Sequence, residues 1–330
     1  MGIPDLHDVP VLVTGGAGFI GSHLVDALAE RGARVRVLDD LSAGKRDNLA
    51  RWLPAKGAPA GSVTFLRGDV RDLSACQAAC EGVRLVFHQA AAISVPGSMT
   101  APAETLSVNV QGTVNVLTAA RDAGVRRVVY ASSSGVYGDS MELPLREGRE
   151  GRVLSPYSLS KAVGEQVAET FGRIYGLEAV GLRYFNAYGP RQDPNGAYAG
   201  VIPLFFKACL KGEIPVIFGD GEQTRDFTYI EDAVAANLLA AGAPEAACGR
   251  AYNVASTERV TINELAAIIG RVTGRAVSPE RREARAGDVR HSHADVSAAN
   301  AALGFAPAWK LADGLAQCLE YYKGVFAQGE

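Results

Sequence analysis

The chain has 330 residues, of which 48% are apolar and 21% charged, and its net charge is −3. This is the balance of an ordinary globular protein, and it gives no electrostatic case for a nucleic acid or an anionic membrane as partner. Apolar runs break well before the ~18 residues of a membrane span, and Met1–Pro10, with Asp5 and Asp8, shows no signal-peptide pattern.

In chain order, PVLVTG (10–15) reads as an apolar strand running into glycines. Residues 19–31 read as a helix with Ile20, Leu24, Ala27 and Leu28 on one face. Strands are predicted at 33–40, 63–69 and 85–92, with the turn-rich PAKGAPAGS (54–62) between the first two. A long helix is predicted at about 103–123, then a strand at 126–134, a helix from near Tyr157, and a strand at 178–186. Strands spaced by helices imply βαβ units and a parallel sheet covered on both faces, a Rossmann-type, doubly wound α/β fold. After about residue 187 the alternation loosens into Pro- and Gly-rich loops (189–203, 212–224). The expected division is 1–186 for the doubly wound domain and 187–330 for a smaller α/β lobe, with segments crossing between them. The five cysteines (Cys76, Cys80, Cys209, Cys248, Cys318) form no Cys-x-x-Cys pair and are odd in number. They read as buried thiols of a reducing cytoplasm, and Cys76 with Cys80 alone makes a poor metal site.

TGGAGFIG (14–21) joins the first strand to the first helix and spaces Gly15, Gly18 and Gly21 as Gly-x-x-Gly-x-x-Gly. Such a turn permits close backbone approach, and the helix start, with Phe19 and Ile20, offers free N–H groups to a pyrophosphate. Asp39 follows Gly21 by 18 residues, at the end of the second strand. A carboxylate there accepts from both ribose hydroxyls of an adenosine and repels a 2′-phosphate, which favours NAD over NADP. The competing reading of Asp39 is a strand-end cap. Asp69, at the end of the third strand, reads either as an adenine contact or as a turn residue.

SPYSLSK (155–161) places Tyr157 and Lys161 four apart on one helix face, with Leu159, Val163, Val167 and Phe171 as a separate apolar ladder. A normal tyrosine is a poor base at neutral pH, but a neighbouring ammonium and a nicotinamide cation favour its phenolate. That phenolate can take a proton from an alcohol while NAD takes hydride from the same carbon. Ser133, in ASSSGVYG (131–138), is placed to relay the proton. No His–acid partnership supports a serine nucleophile. His88, in an apolar strand, reads as a satisfied core residue.

Together TGGAGFIG, Asp39, GDVRD, the Tyr157–Lys161 pair and RYFNAYGPRQ resemble the extended short-chain dehydrogenase/reductase family, within its nucleotide-sugar epimerases. The resemblance covers nearly the whole chain. It implies NAD bound by residues 1–186, a nucleotide sugar against 187–330, and a homodimer joined through a four-helix bundle. For NAD it implies contacts from Gly15, Gly18, Phe19, Ile20, Asp39, Asp40, Ser42, Gly44, Asp69, Val70, Gln89, Ala90, Ala91, Asn109, Tyr157, Lys161 and Phe185. For the sugar nucleotide it implies Ser133, Ser134, Asn186, Val201, Val216, Arg225, Arg285, Asp288 and Ser292, the two arginines on the diphosphate and Asp288 on the uridine ribose.

Related 4,6-dehydratases carry Asp-Glu after the catalytic serine or threonine, and related decarboxylases keep a glutamate there. Here those positions are Ser134 and Gly135. Elimination lacks its acid–base pair, which leaves 4-epimerisation through a 4-keto sugar, with NAD retained through turnover. Ser292 stands where glucose-restricted epimerases resemble one another in a bulky tyrosine. With RQDPNGAYAGVIP (191–203), it gives a resemblance to bacterial UDP-N-acetylglucosamine 4-epimerases of surface-polysaccharide pathways. UDP-glucose and UDP-glucuronate remain alternative substrates, a releasing alcohol dehydrogenase an alternative reaction, and an inactive NAD-binding scaffold an alternative role.

Overall fold

The computed structural model describes residues 2–53, 62–194, 200–284 and 289–327. The first half builds one sheet by repeated crossovers. β1 (Pro10–Thr14), α1 (Phe19–Glu30), β2 (Arg34–Asp39), β3 (Val63–Arg67), α2 (Leu73–Cys80) and β4 (Leu85–His88) come first. Next are α3 (Val95–Thr100), α4 (Pro102–Leu106), α5 (Gly112–Asp122), β5 (Arg127–Ser133), α6 (Pro156–Tyr175) and β6 (Glu178–Tyr184). The second half holds α7 (Val201–Lys211), β7 (Val216–Phe218), β8 (Thr224–Arg225), α8 (Ile230–Gly242) and β9 (Arg250–Val254). It ends with β10 (Val260–Thr261), α9 (Ile262–Thr273), β11 (Glu280–Arg282), α10 (Ser297–Leu303) and α11 (Leu311–Ala327).

The main sheet has seven strands in the order β3-β2-β1-β4-β5-β6-β9, and every pairing is parallel. The order reverses between β1 and β4, so a crevice opens beyond their C-terminal ends, where doubly wound sheets bind ligands. Two small ribbons, β10-β8 and β11-β7, lie outside this sheet. Central strands are apolar on both faces because helices cover both. On one side Leu12, Val86 and Val128 meet α2 and α5 residues such as Cys80, Val116 and Ala120. On the other, Val11, Val13, Phe87 and Val129 share a core with Leu24 and Leu28 of α1 and Ala233 and Leu238 of α8. That core runs on to Phe206, Leu265, Leu315 and Tyr322, so residues from both halves of the chain bury one continuous surface. All five cysteines are free thiols, and burial pushes Cys76 and Cys80 up to about 12. Among the described residues no helix is long and apolar enough to cross a membrane.

Three differences from the sequence expectations have physical causes. The helix expected at 103–123 is broken: α4 and α5 flank a π-helical stretch, Ser107–Gln111. The wide turn presents Asn109, whose amide holds Ala92 from both sides (Ala92 N to Oδ1 2.7 Å, Nδ2 to Ala92 O 3.0 Å). The strand expected at 85–92 stops at His88, because Gln89–Ala92 leave the ladder where the crevice opens. The apolar ladder on α6 is half real. Val167 and Phe171 pack on the core, whereas Leu159 is 42% exposed.

Candidate active site

The glycine turn shows why side chains are absent from it. Gly15 has φ +67, and a Cβ there would lie 2.7 Å from Ala90 N. A Cβ on Gly21 would overlap the Gly15 carbonyl oxygen. Gly18 caps α1 without any side-chain hydrogen bond, so the first N–H groups of the helix have no side-chain acceptor. This is a cradle a Cβ would fill, facing a helix N-terminus, and it fits the pyrophosphate of NAD. Phe19 and Ile20 open the helix and are half-buried.

Asp39 closes the cradle from β2. Its Oδ2 accepts from Ala17 N (2.9 Å) and its Oδ1 from Leu41 N (2.8 Å). Burial pushes its carboxyl upward while those two N–H groups oppose the rise. Asp40 Oδ1 accepts from Ser42 N and Oγ, and a Cβ on Gly44 would stand 2.9 Å from Asp39 Oδ1. The strand-end and ribose readings of Asp39 are therefore compatible: each carboxylate oxygen keeps a further lone pair. Asp69 is gripped by Arg71, which holds it below the usual carboxylate range. Beside it Val70 O accepts from Asn115 Nδ2 (3.0 Å). Gln89 Nε2 donates to Asn237 Oδ1 (3.0 Å), Ala90 N to Thr14 Oγ1 (3.3 Å), and Ala91 follows on the same edge.

The reactive group comes from β5 and α6. Ser155 caps α6 by accepting from Ser158 N, Pro156 sits in the first turn, and Gly176 ends the helix in the left-handed region. This fixes Tyr157 and Lys161 over the end of β5. Ser133 ends that strand, hydrogen-bonds Tyr157, and accepts from Gly135 N at 3.1 Å. Lys161 Nζ donates to Ala131 O (2.9 Å) and lies 6.0 Å from the Tyr157 ring centre. Burial pulls Lys161 down to about 8. Burial also pushes Tyr157 up, against the Ser133 hydrogen bond. In the chain by itself desolvation of the phenol wins, and the expected phenolate calls for the nicotinamide cation as well as the ammonium. Asn109 Nδ2 reaches Ser160 Oγ (2.9 Å) and so ties the Ala92 edge to α6.

His88 is structural, as expected. It bridges Thr14 Oγ1 (2.7 Å) and Thr113 Oγ1 (3.1 Å), and burial, then Lys161, takes it down to about 3. The folded state therefore resists protonating it, whereas the unfolded chain accepts a proton near pH 6.5. Stability drops as pH falls through that window, by about 2 kcal/mol between pH 6.5 and 5 from this group. Denaturant melts at both pH values check this: His88→Gln flattens the difference.

The residues expected to meet the sugar nucleotide are spread over several elements. Phe185 is buried, its N–H bonded to Val254 O (3.0 Å) and its ring tilted against Tyr137. Asn186 has φ 37 and donates from Nδ2 to Asp226 O (2.8 Å). Ser134 starts a short 3-10 helix, Val201 opens α7, and Val216 opens β7. Arg225 ends β8 and donates to Thr224 O (2.9 Å). Ser292 is buried and its N–H bonds the same Thr224 carbonyl (3.0 Å). Thr224 thus brings Arg225 and Ser292 together. Arg285 and Asp288 lie outside the described residues.

Sequence reading missed the support beneath Lys161. Glu165 accepts from Ser132 Oγ (2.5 Å) and from Arg183 Nε and NH2 (2.9 and 2.7 Å). The available signals were an arginine inside the apolar strand EAVGLRY and an acid one turn after Lys161.

Comparison with known proteins shows the family. The description "NAD dependent epimerase/dehydratase family" matches residues 11–255. The chain belongs to that family, whose cofactor is NAD. It is 39% identical to a UDP-glucose 4-epimerase of Mycolicibacterium smegmatis, over 94% of this chain and 98% of that one. A UDP-N-acetylglucosamine 4-epimerase from Methanobrevibacter ruminantium, solved with UDP-N-acetylmuramic acid, superposes with TM-score 0.89 at 38% identity, covering 97% and 99% of the two chains. A Thermus thermophilus UDP-glucose 4-epimerase solved with NAD gives TM-score 0.85 at 37% identity, covering 96% and 99%.

Proposed function

We propose that this chain is an NAD-dependent UDP-sugar 4-epimerase whose substrate pair is UDP-N-acetylglucosamine and UDP-N-acetylgalactosamine. Bound NAD supplies the acceptor, and then the donor, of the C4 hydride. Gly15, Gly18, Phe19, Ile20 and Asp39 hold it, with Asp40, Ser42, Gly44, Asp69, Val70 and Gln89–Ala91 around the adenosine and crevice. Tyr157 takes the proton from the sugar O4 and returns it, Ser133 relays it, and Lys161 orients the ribose and favours the phenolate. Arg225, Arg285 and Asp288 hold the nucleotide diphosphate and ribose, with Ser134, Asn186, Val201 and Val216 beside them.

One observation supports the choice of reaction: Ser133 bonds Tyr157, Lys161 lies 6.0 Å from that ring, and positions 134 and 135 carry no carboxylate. A Cβ on Gly135 would meet Ser158 Oγ at 2.7 Å, so a larger residue there requires Ser158 to shift. Small, buried Ser292 supports the N-acetylated sugar, as does the likeness to the Methanobrevibacter enzyme. The proposal also takes residues 1–186 as the NAD domain and 187–330 as the sugar-nucleotide lobe. A homodimer through a four-helix bundle is supported by Leu159 (42%) and Ile174 (60%) exposed on α6. A cytoplasmic location is supported by the five free thiols.

Incubation with UDP-GlcNAc, UDP-glucose and UDP-glucuronate separately, without added NAD, tests the reading by resolving C4 epimers. Conversion of none sinks it, and accumulation of free NADH favours a dehydrogenase. Ser292→Tyr is expected to cut turnover of N-acetylated substrate at least ~10-fold and spare UDP-glucose. Equal loss of both substrates would refute the size argument.

A further inference from the structure

Three consecutive residues of β5 meet three successive turns of α6. Ser133 bonds Tyr157, Ala131 O accepts from Lys161 Nζ, and Ser132 Oγ donates to Glu165. The helix partners are spaced i, i+4 and i+8, so they form one stripe. We propose that Glu165, clamped by Arg183 and Ser132, is a positioning residue that keeps Lys161 charged and fixes the register of α6 on β5. This rests on the catalytic reading of Lys161 given above.

The charges explain why the clamp is needed. Arg183 lies between two carboxylates, with NH1 on Glu150 Oε1 (2.5 Å) and NH2 on Glu165 Oε2 (2.7 Å). Its side chain is 8% exposed and that of Glu165 15%. Two carboxylates against one guanidinium leave an excess negative charge in a site where unpaired charge is costly. Lys161, one turn from Glu165, supplies the balancing cation.

The other groups facing this cluster do not replace it. His88 approaches Lys161 from β4 but is neutral, held down to about 3. Tyr157 is on α6, Tyr130 faces Glu165 from β5, and burial pushes both phenols up. Glu147 faces Arg183 from the loop after β5 and accepts from Asn253 N (2.7 Å). Burial pulls the lysine toward its neutral form, and Glu165 is the charge opposing that pull. Without Glu165 that opposition is gone, and the Lys161 midpoint falls further below the ordinary lysine value.

The test uses holoenzyme carrying isotope-labelled lysine, with the Lys161 signal assigned by its loss in Lys161→Met. NMR titration gives the Lys161 midpoint, and the alkaline limb of turnover is measured alongside. Glu165→Gln is expected to lower both midpoints by about one pH unit, while Ser132→Ala, which keeps both charges, moves neither by more than about 0.3. A merely structural role lowers activity at all pH values and leaves the Lys161 midpoint in place, and that result overturns the proposal. Should Glu165→Gln fail to fold, Arg183→Gln carries the opposite sign. Its Lys161 midpoint rises, and an unmoved midpoint again overturns the coupling. Wild-type protein that holds NAD yet epimerises no UDP-sugar refutes the catalytic reading alone, because the titration judges the charge coupling separately.

Discussion

Tyr157→Phe is expected to lose roughly three orders of magnitude in turnover while retaining its NAD. The hydroxyl is the only part removed, and the ring keeps its place at the start of α6. The cradle at 15–21, the Asp39 carboxylate and Lys161 are untouched, so cofactor content, read by extraction and enzymatic assay, stays near that of the wild type. Ser133 does not substitute as base. It ends β5 as an alcohol whose partners are Tyr157 and the Gly135 N–H, with no His or carboxylate partner among the described residues. A Phe variant keeping more than about a tenth of the activity would show that another group moves the O4 proton. Burial raises Tyr157 in the chain by itself. Its activation therefore depends on what binds beside it, and turnover should fail in parallel with NAD loss.

Gly21→Ala is expected to lose NAD and stability together. Its new methyl group would overlap the Gly15 carbonyl oxygen and stand 2.8 Å from both Gly15 C and Gly16 Cα. All three are backbone atoms, so no side chain can swing away and the turn itself must open. The cost is about 2–3 kcal/mol, the upper part of the range for overpacked sites, which lowers Tm by roughly 3–4 °C in a chain of this size. Gly324→Ala is the control. It is exposed on the outer face of α11 with nothing within 4 Å, and gains about 0.5–1 kcal/mol from helix propensity. A Gly21→Ala protein with full NAD content and unchanged Tm contradicts the cradle geometry.

Residues whose placement is set locally were legible in the sequence. The glycine turn, Asp39 after the second strand, and the Tyr157–Lys161 pair each depend on short spacing, and the structure gathers them at one sheet edge. The first six strands were legible for the same reason, since parallel strands covered on both faces write continuous apolar runs. What escaped depended on distant partners. RAYNV (250–254) is a short run after a loosened region, and only pairing with β6 makes it a strand. Arg183 and Glu165 are ordinary charged residues until the fold brings β6 against α6. The π-helical stretch at Ser107–Gln111 reflects the demand of Ala92 on Asn109, some distance away in sequence. The upward push on Tyr157 escaped because spacing does not reveal burial.

The strand order carries a consequence for synthesis. β6 ends at Tyr184, but its outer neighbour β9 begins only at Arg250. During translation at roughly 5–20 residues per second, the ribosome needs several seconds to deliver the intervening stretch. Throughout that interval β6 presents a bare row of backbone donors and acceptors, the kind of template that recruits strands from other nascent chains. Crowded polysomes and heat shock should therefore strike this protein first at Glu178–Tyr184, before any cofactor has been met.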